Sequence, residues 1–134
     1  MSKFEKFVHK RLQSSGEPML TITKVGIINF NSATMAKYIK DNTYATLYYD
    51  KRDSVIGIKF TKKRTAEAYH IIKYRGGKFG TISGLAFLKY YKIPLGETRA
   101  YNAEWNEQDA MLVADLKQHK REREKSKQIL GQDV

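Results

Sequence analysis

Apolar and polar positions change their spacing several times along the chain. Between residues 4 and 12 apolar side chains recur at helical spacing among charged ones, which predicts a short amphipathic N-terminal helix. From Met19 to Ile28 the spacing becomes the alternation of a β-strand, with Gly26 as a bend or bulge. The pattern therefore predicts a helix followed by extended structure.

Two further helices are predicted where capping residues precede helical spacing. Asn31 or Ser32 can cap the first of them, which runs to about Lys40. Ser83 can cap the second, over residues 84–91. The candidate buried positions of the first helix are Ala33, Ala36 and Ile39.

Two β-hairpins with acidic turns are predicted from runs of β-branched and aromatic residues. The first joins residues 43–49 to 54–60, and the second joins 98–105 to 110–116. Their turns are residues 50–53 and 106–109.

A further strand, residues 66–74, is predicted between the hairpins and carries apolar groups on both faces. The Gly-Gly turn 75–78 leads from it into a strand over 79–82. Such a strand would hold the cations 62–64 and those of the turn at opposite ends, about 25 to 30 Å apart.

The two halves of the chain repeat the same order of elements: strand, glycine, short helix, strand, acidic turn, strand. The candidate repeats are 19–61 and 78–116, aligned on Gly26 and Gly80. The predicted fold class is α+β, mainly an antiparallel sheet or small barrel built from two β-α-β-β repeats. It forms one domain over 1–116, which includes the N-terminal helix, and a basic helical or disordered tail over 117–134 follows.

The first repeat resembles the SpoVT/AbrB swapped-hairpin unit. Its opening, Gly26 to Ala33, matches that family in the placement of apolar residues, and residues 46–50 and 55–59 resemble the family's closing strands. Ile27 and Asn31 stand where family members typically carry an arginine and a proline. The DNA-contacting arginine of the family therefore has no counterpart here.

This resemblance implies a DNA-binding protein of the transition-state-regulator type, acting in transcription. Tandem copies would replace the two chains of a swapped dimer, so a pseudo-dimeric monomer and a homodimer are both open. The interleaving of aromatic and basic residues is also similar to Whirly-like strand-rich domains, which implies single-stranded DNA or RNA as an alternative target.

The composition agrees with a phosphate polymer as partner. Lys and Arg number 25 against 14 Asp and Glu, a formal charge of +11, and such a field attracts polyanions through release of their counterions. An acidic protein would also suit it, and many basic proteins bind nothing specific. No apolar run reaches the roughly 20 residues of a membrane span. Because cysteine is absent, we expect a protein of the reducing cytoplasm.

The candidate nucleic-acid contacts lie in three stretches. Tyr74 beside Arg75 is the candidate stacking platform for a base, because aromatic faces accept any base. Residues 120–123 belong to the basic tail, which could act as an arm along the phosphates. The full set is Lys59, Lys62, Lys63, Arg64, Lys73, Tyr74, Arg75, Lys78, Lys120, Arg121 and Arg123.

Nothing in the sequence indicates a catalytic, metal or cofactor site. The three histidines lack ligand spacing, and no cysteine can complete a zinc site. Residues 75–78 lack the spacing of a P-loop. The carboxylates of the two hairpin turns could hold a cation for nuclease chemistry, although polar turn residues explain them as well. We therefore expect a non-catalytic DNA-binding protein, with an acidic-partner interaction module and a nuclease as alternatives.

Overall fold

The computed structural model describes residues 16–120, which form mostly antiparallel β-structure with few helices. The predicted N-terminal helix lies outside the described residues. The strands of the described part are β1 (Met19–Ile22), β2 (Ile27–Phe30), β3 (Tyr44–Asp50), β4 (Val55–Thr61), β5 (Tyr69–His70), β6 (Ile72–Tyr74), β7 (Phe79–Ser83), β8 (Arg99–Asn102), β9 (Glu104–Asn106), β10 (Met111–Asp115) and β11 (His119–Lys120).

The strands form two antiparallel sheets. The six-stranded sheet has the order β11-β8-β1-β2-β7-β6, and the five-stranded sheet has the order β5-β3-β4-β10-β9. In each sheet one interior pair joins strands far apart in sequence, β2 with β7 and β4 with β10. The first predicted hairpin is confirmed as β3 and β4.

The core lies between the inner faces of the two sheets. Alternate residues of each strand point inward, as the period of two requires, and they join in one buried cluster. Ile28 and Ile82 enter it from the six-stranded sheet, and Ile58 and Leu112 enter it from the five-stranded sheet. The two sheets therefore share one hydrophobic core.

The first helix begins as predicted, with Asn31 as its cap. Helix α1 (Ser32–Thr34) continues as a π-helical turn, Met35–Ile39. The side chain of Asn31 accepts hydrogen bonds from the backbone N–H of Thr34 and of Met19, which ties the helix start to β1. The predicted burial is right for Ile39 and wrong for Ala36, which is exposed; Thr34 and Met35 are buried instead.

The second helix, α2 (Leu85–Tyr90), begins after Gly84 and has no side-chain cap. The prediction that Ser83 caps it is therefore wrong. Ser83 is the last residue of β7 and pairs with Ile27 of β2. Because that pairing keeps Ser83 in the sheet, its hydroxyl group is not used as a cap.

Residues 19–28 form a hairpin and not one bent strand. β1 pairs with β2, and the turn between them ends at Gly26, whose φ is +86°. Val25, which the alternation counted among the strand residues, is exposed in this turn. Val25 therefore fits the alternating pattern of the sequence without belonging to the core.

Two predicted strands change from one sheet to the other. Residues 66–74 divide into β5 in one sheet and β6 in the other at Ile71. Residues 98–105 divide in the same way into β8 and β9 at Ala103. Both residues at the change are buried. Of β8 and β9, only β9 pairs with β10, so the second predicted hairpin is formed by β9 and β10 alone.

After β10 the described chain continues into the six-stranded sheet. His119 and Lys120 pair with β8 as β11, which differs from the helical or disordered state predicted for them. Residues 121–134, with the rest of the predicted tail, lie outside the described part. Within residues 16–120 neither helix is long and apolar enough to cross a bilayer.

Candidate nucleic-acid interface

Lysines from separate parts of the chain meet beside the π-helical turn. A groove of about 520 Å³ lies between this turn and residues 77 and 78 of the β6–β7 turn, and Lys37, Lys40 and Lys78 line it. Its remaining walls are mostly small residues, among them Ala33, Ala36 and Gly77. Small residues keep the groove open, and the lysines give it positive charge.

Two contacts bring further lysines to the same place. The ammonium group of Lys73, on β6, donates a hydrogen bond of 3.0 Å to the backbone carbonyl of Lys40. Lys62, just after β4, forms an ion pair of 3.3 Å with Asp41. Residues 40 and 41 therefore join the groove to β6 and to the end of β4. We call Lys37, Lys40, Lys62, Lys73 and Lys78 together the cationic surface.

Asp41 is the acid within the cationic surface. Its backbone hydrogen bond and then the neighbouring Lys62 lower the pKa of its carboxyl group below the ordinary 3.8. The carboxylate is therefore ionised at neutral pH and neutralises part of one lysine. Because both partners are largely exposed, water screens this pair strongly.

The backbone of Lys40 is unusual for a residue with a side chain. Its φ of 51° and ψ of −124° lie in a region that glycine adopts with ease. Its N–H donates to the carbonyl of Met35, and the N–H of Asn42 donates to that of Ile39. A lysine is thus held in a strained turn at the centre of the cationic surface, a kind of outlier that is frequent at functional sites.

The predicted Gly-Gly turn over residues 75–78 is confirmed as the connection between β6 and β7. Arg75, Gly76 and Gly77 all have positive φ, and a Cβ added at either glycine would meet nothing within 4 Å. The turn therefore projects into open space. Arg75 is exposed beside it.

The strand change at Ile71 corrects the predicted spacing of the cations. With residues 66–74 divided between two sheets, Lys62 and the β6–β7 turn are not held at the two ends of one strand. Lys62 instead pairs with Asp41, next to the carbonyl group that Lys73 binds. Lys62, Lys73 and Lys78 therefore belong to one surface.

The other predicted contacts lie elsewhere on the molecule. Lys59 lies 5.6 Å from the ring centre of Tyr48, on the outer face of the five-stranded sheet. Arg64 lines a separate cavity of about 320 Å³ with Tyr44 and His70. Lys120 belongs to β11, at the edge of the six-stranded sheet opposite to β6.

Two predicted contacts are not described, and two lysines of the surface were not predicted. Arg121 and Arg123 lie outside the described residues, and Lys63 is exposed in the loop after β4. Lys37 and Lys40 are absent from the candidates that the sequence indicated. Their spacing of three along a predicted helix placed them near one another, but it did not show what the helix faces.

The carboxylates of the two acidic turns belong to separate hairpins. Asp50 and Asp53 belong to the β3–β4 hairpin, and Glu107 and Asp109 belong to the β9–β10 hairpin. No group of three or more metal-ligating side chains is found among residues 16–120.

Comparisons of the chain with protein-family models, curated proteins and solved structures returned no match.

Proposed function

We propose that the protein binds nucleic acid, and that the cationic surface makes the phosphate contacts. The observation that carries the proposal is the convergence of five lysines from three parts of the chain, three of them lining one groove and two bound beside it, with Asp41 as the acid among them. Neutralising several phosphates at once releases condensed counterions, which is a main source of affinity for DNA. DNA is the primary expectation, with RNA as the alternative. No catalytic step forms part of the proposal.

We also infer that the chain consists of two related halves that exchange strands. Ile28 of β2 pairs with Ile82 of β7 in one sheet, and Ile58 of β4 pairs with Leu112 of β10 in the other. Each pair joins residues whose numbers differ by 54 (28 to 82, 58 to 112). A single pseudo-twofold axis through both pairs would relate the halves, with the same offset that aligns Gly26 with Gly80.

The glycines support the same inference because each contacts the helix of the other half. A Cβ at Gly26 would meet Leu85 of α2, and a Cβ at Gly80 would meet Met35 of the π-helical turn. Reciprocal exchange of this kind is what two tandem swapped-hairpin copies would produce. It supports a pseudo-dimeric monomer and the resemblance to SpoVT/AbrB regulators.

The test is a fluorescence-anisotropy titration with duplex DNA, single-stranded DNA, RNA, heparin and poly-glutamate at two salt concentrations. The variant Lys37→Glu/Lys40→Glu/Lys78→Glu changes the groove. We expect it to lose at least tenfold in affinity for nucleic acid. Its salt slope should fall by about two to three, since each phosphate contact contributes about 0.7 to 0.9.

The other half of the chain offers a matched control. Lys24, Lys89 and Lys92 are exposed, and Lys24 corresponds to Lys78 under the offset of 54 (24 to 78). Lys24→Glu/Lys89→Glu/Lys92→Glu changes the net charge equally, and we expect it to cost less than threefold. Equal losses in both variants would mean general attraction to polyanions and would overturn the proposal. Poly-glutamate binding as tight as DNA binding would favour the acidic-partner module instead.

A further inference from the structure

Tyr74 lies on the other side of the β6–β7 hairpin from the groove and presents its ring to solvent. Its side chain is 46% exposed, and its hydroxyl group donates a hydrogen bond of 2.9 Å to the side chain of Thr81. Tyr74 pairs with Phe79, and Thr81 is two residues further along β7. The ring therefore extends along the surface of the sheet toward Thr81 and stays partly open to solvent.

A cavity of about 590 Å³ opens beside this ring on the outer face of the six-stranded sheet. Asn29, Tyr74, Arg75, Phe79 and Thr81 contribute to its walls, and none of its lining residues is acidic. The volume lies within the range of ligand sites, roughly 300 to 1,000 Å³. Its lining thus combines aromatic residues, neutral polar groups and one cation, and aromatic stacking together with cationic contacts is what single-stranded nucleic-acid sites use.

We propose that this cavity takes one unpaired base of a single-stranded nucleic acid, with the base stacked on Tyr74. Arg75 would contact the adjoining phosphate, and the amide of Asn29 is placed to hydrogen-bond the base edge. This inference rests on the proposed function, because it assigns the strand type that the cationic surface binds.

The β6–β7 hairpin connects the two sites. Gly77 and Lys78 line the groove of the cationic surface, while Arg75 and Phe79 line the cavity beside Tyr74. A strand whose phosphates follow the groove reaches the cavity by crossing this one turn, which offers no obstruction around Gly76 and Gly77. A duplex cannot use the cavity without base flipping, because its bases are stacked on one another.

The experiment compares four 12-nucleotide probes by fluorescence anisotropy: single-stranded DNA, RNA of the same sequence, the DNA duplex, and an abasic single strand with the same phosphates. The variant Tyr74→Leu removes the ring. We expect it to weaken binding of the single strand with bases about 5- to 150-fold, the range that loss of one base stack gives. Binding of the abasic strand should change less than twofold. If Tyr74→Leu loses the same affinity for RNA as for single-stranded DNA, Tyr74 stacks on bases of both.

Tyr48→Leu is the matched control. Tyr48 is 44% exposed, close to the value for Tyr74, but it lies on the five-stranded sheet. We expect its affinities to equal those of the unmodified protein. Tyr74→Phe keeps the ring, and we expect it to retain most of the affinity lost in Tyr74→Leu. Far-UV circular dichroism of each variant checks that it is folded.

A photocrosslink identifies the contact directly. A single-stranded probe with 5-iodouracil should crosslink to Tyr74, located by peptide mass spectrometry, and a crosslink confined to other residues would overturn the stacking proposal. An unchanged affinity of Tyr74→Leu for the single strand would also overturn the stacking proposal. The proposed function would still stand if the groove variant loses binding. Failure of the unmodified protein to bind any of the four probes would overturn both.

Discussion

At the scale of single residues, Gly26 combines a left-handed backbone with a close contact. Its φ is +86°, and an added Cβ would meet the backbone Cα of Leu85 at 2.8 Å. The N–H of Gly84 also donates to its carbonyl oxygen. The turn at Gly26 thus fixes the position of α2, and the backbone of α2 cannot retreat from a new side chain without losing this hydrogen bond.

We expect Gly26→Ala to lower the free energy of unfolding by about 3 kcal/mol or more. The positive φ costs about 1 to 2 kcal/mol for alanine, and the contact with Leu85 adds to this. Gly76→Ala is the control, because its φ is +66° and nothing lies within 4 Å. Gly76→Ala should lose only the free energy that alanine costs at a positive φ. Urea denaturation measures both, and equal losses would contradict the role given to Leu85.

Lys40 allows a test in which stability and binding move in opposite directions. Its φ of 51° and ψ of −124° strain a lysine but suit glycine. We expect Lys40→Gly to leave the free energy of unfolding unchanged or raise it by up to about 1 kcal/mol. Affinity for nucleic acid should fall at least threefold, because one phosphate contact is lost.

Lys92 provides the comparison for this prediction. It also follows a helix with positive φ, 57°, but lies outside the cationic surface. Lys92→Gly should therefore have a similar effect on thermal unfolding and none on affinity beyond the change in net charge. If Lys40→Gly binds DNA as tightly as the unmodified protein, Lys40 makes no phosphate contact.

At the scale of elements, local patterns predicted the described helices and the β3–β4 hairpin well. They did not show that 66–74 and 98–105 each divide between two sheets. Alternation reports which face of a strand is buried, not which strand lies beside it, and a residue buried at a sheet change keeps the apolar character of a strand residue. The register of such strands depends on partners distant in sequence.

Ile71 and Ile72 test this strand change directly. Ile71 is 2% exposed at the change, whereas Ile72 is 52% exposed on β6. We expect Ile71→Ala to cost about 2 to 5 kcal/mol of unfolding free energy, the usual loss for a buried aliphatic side chain. Ile72→Ala should cost less than about 1 kcal/mol. Similar losses in chemical denaturation would mean that both side chains are covered, as in a continuous strand within a sheet.

At the scale of the whole molecule, the sequence indicated part of the candidate site. Clusters of basic residues predicted Lys62, Lys73 and Lys78. The sequence did not predict Lys37 and Lys40, because the packing of the π-helical turn beside residues 77 and 78 depends on the β2–β7 pairing. A cationic groove is a tertiary property, and charge runs along the chain do not show which isolated lysines the fold brings to it.

The proposed exchange of strands between the two halves has a consequence for folding. Since β2 pairs with β7 and β4 pairs with β10, neither half can complete its sheets alone, and we expect one cooperative unfolding transition. Trp105 stacks on Tyr38 of the other half, with ring centres 4.9 Å apart. Its fluorescence therefore reports on contact between the halves.

The urea midpoints from Trp105 fluorescence and from far-UV circular dichroism should coincide, and Tyr38→Leu should lower both together. A fluorescence transition that comes first, or that alone shifts in the variant, would show that the halves separate before they unfold and would remove the support for strand exchange as the basis of the fold.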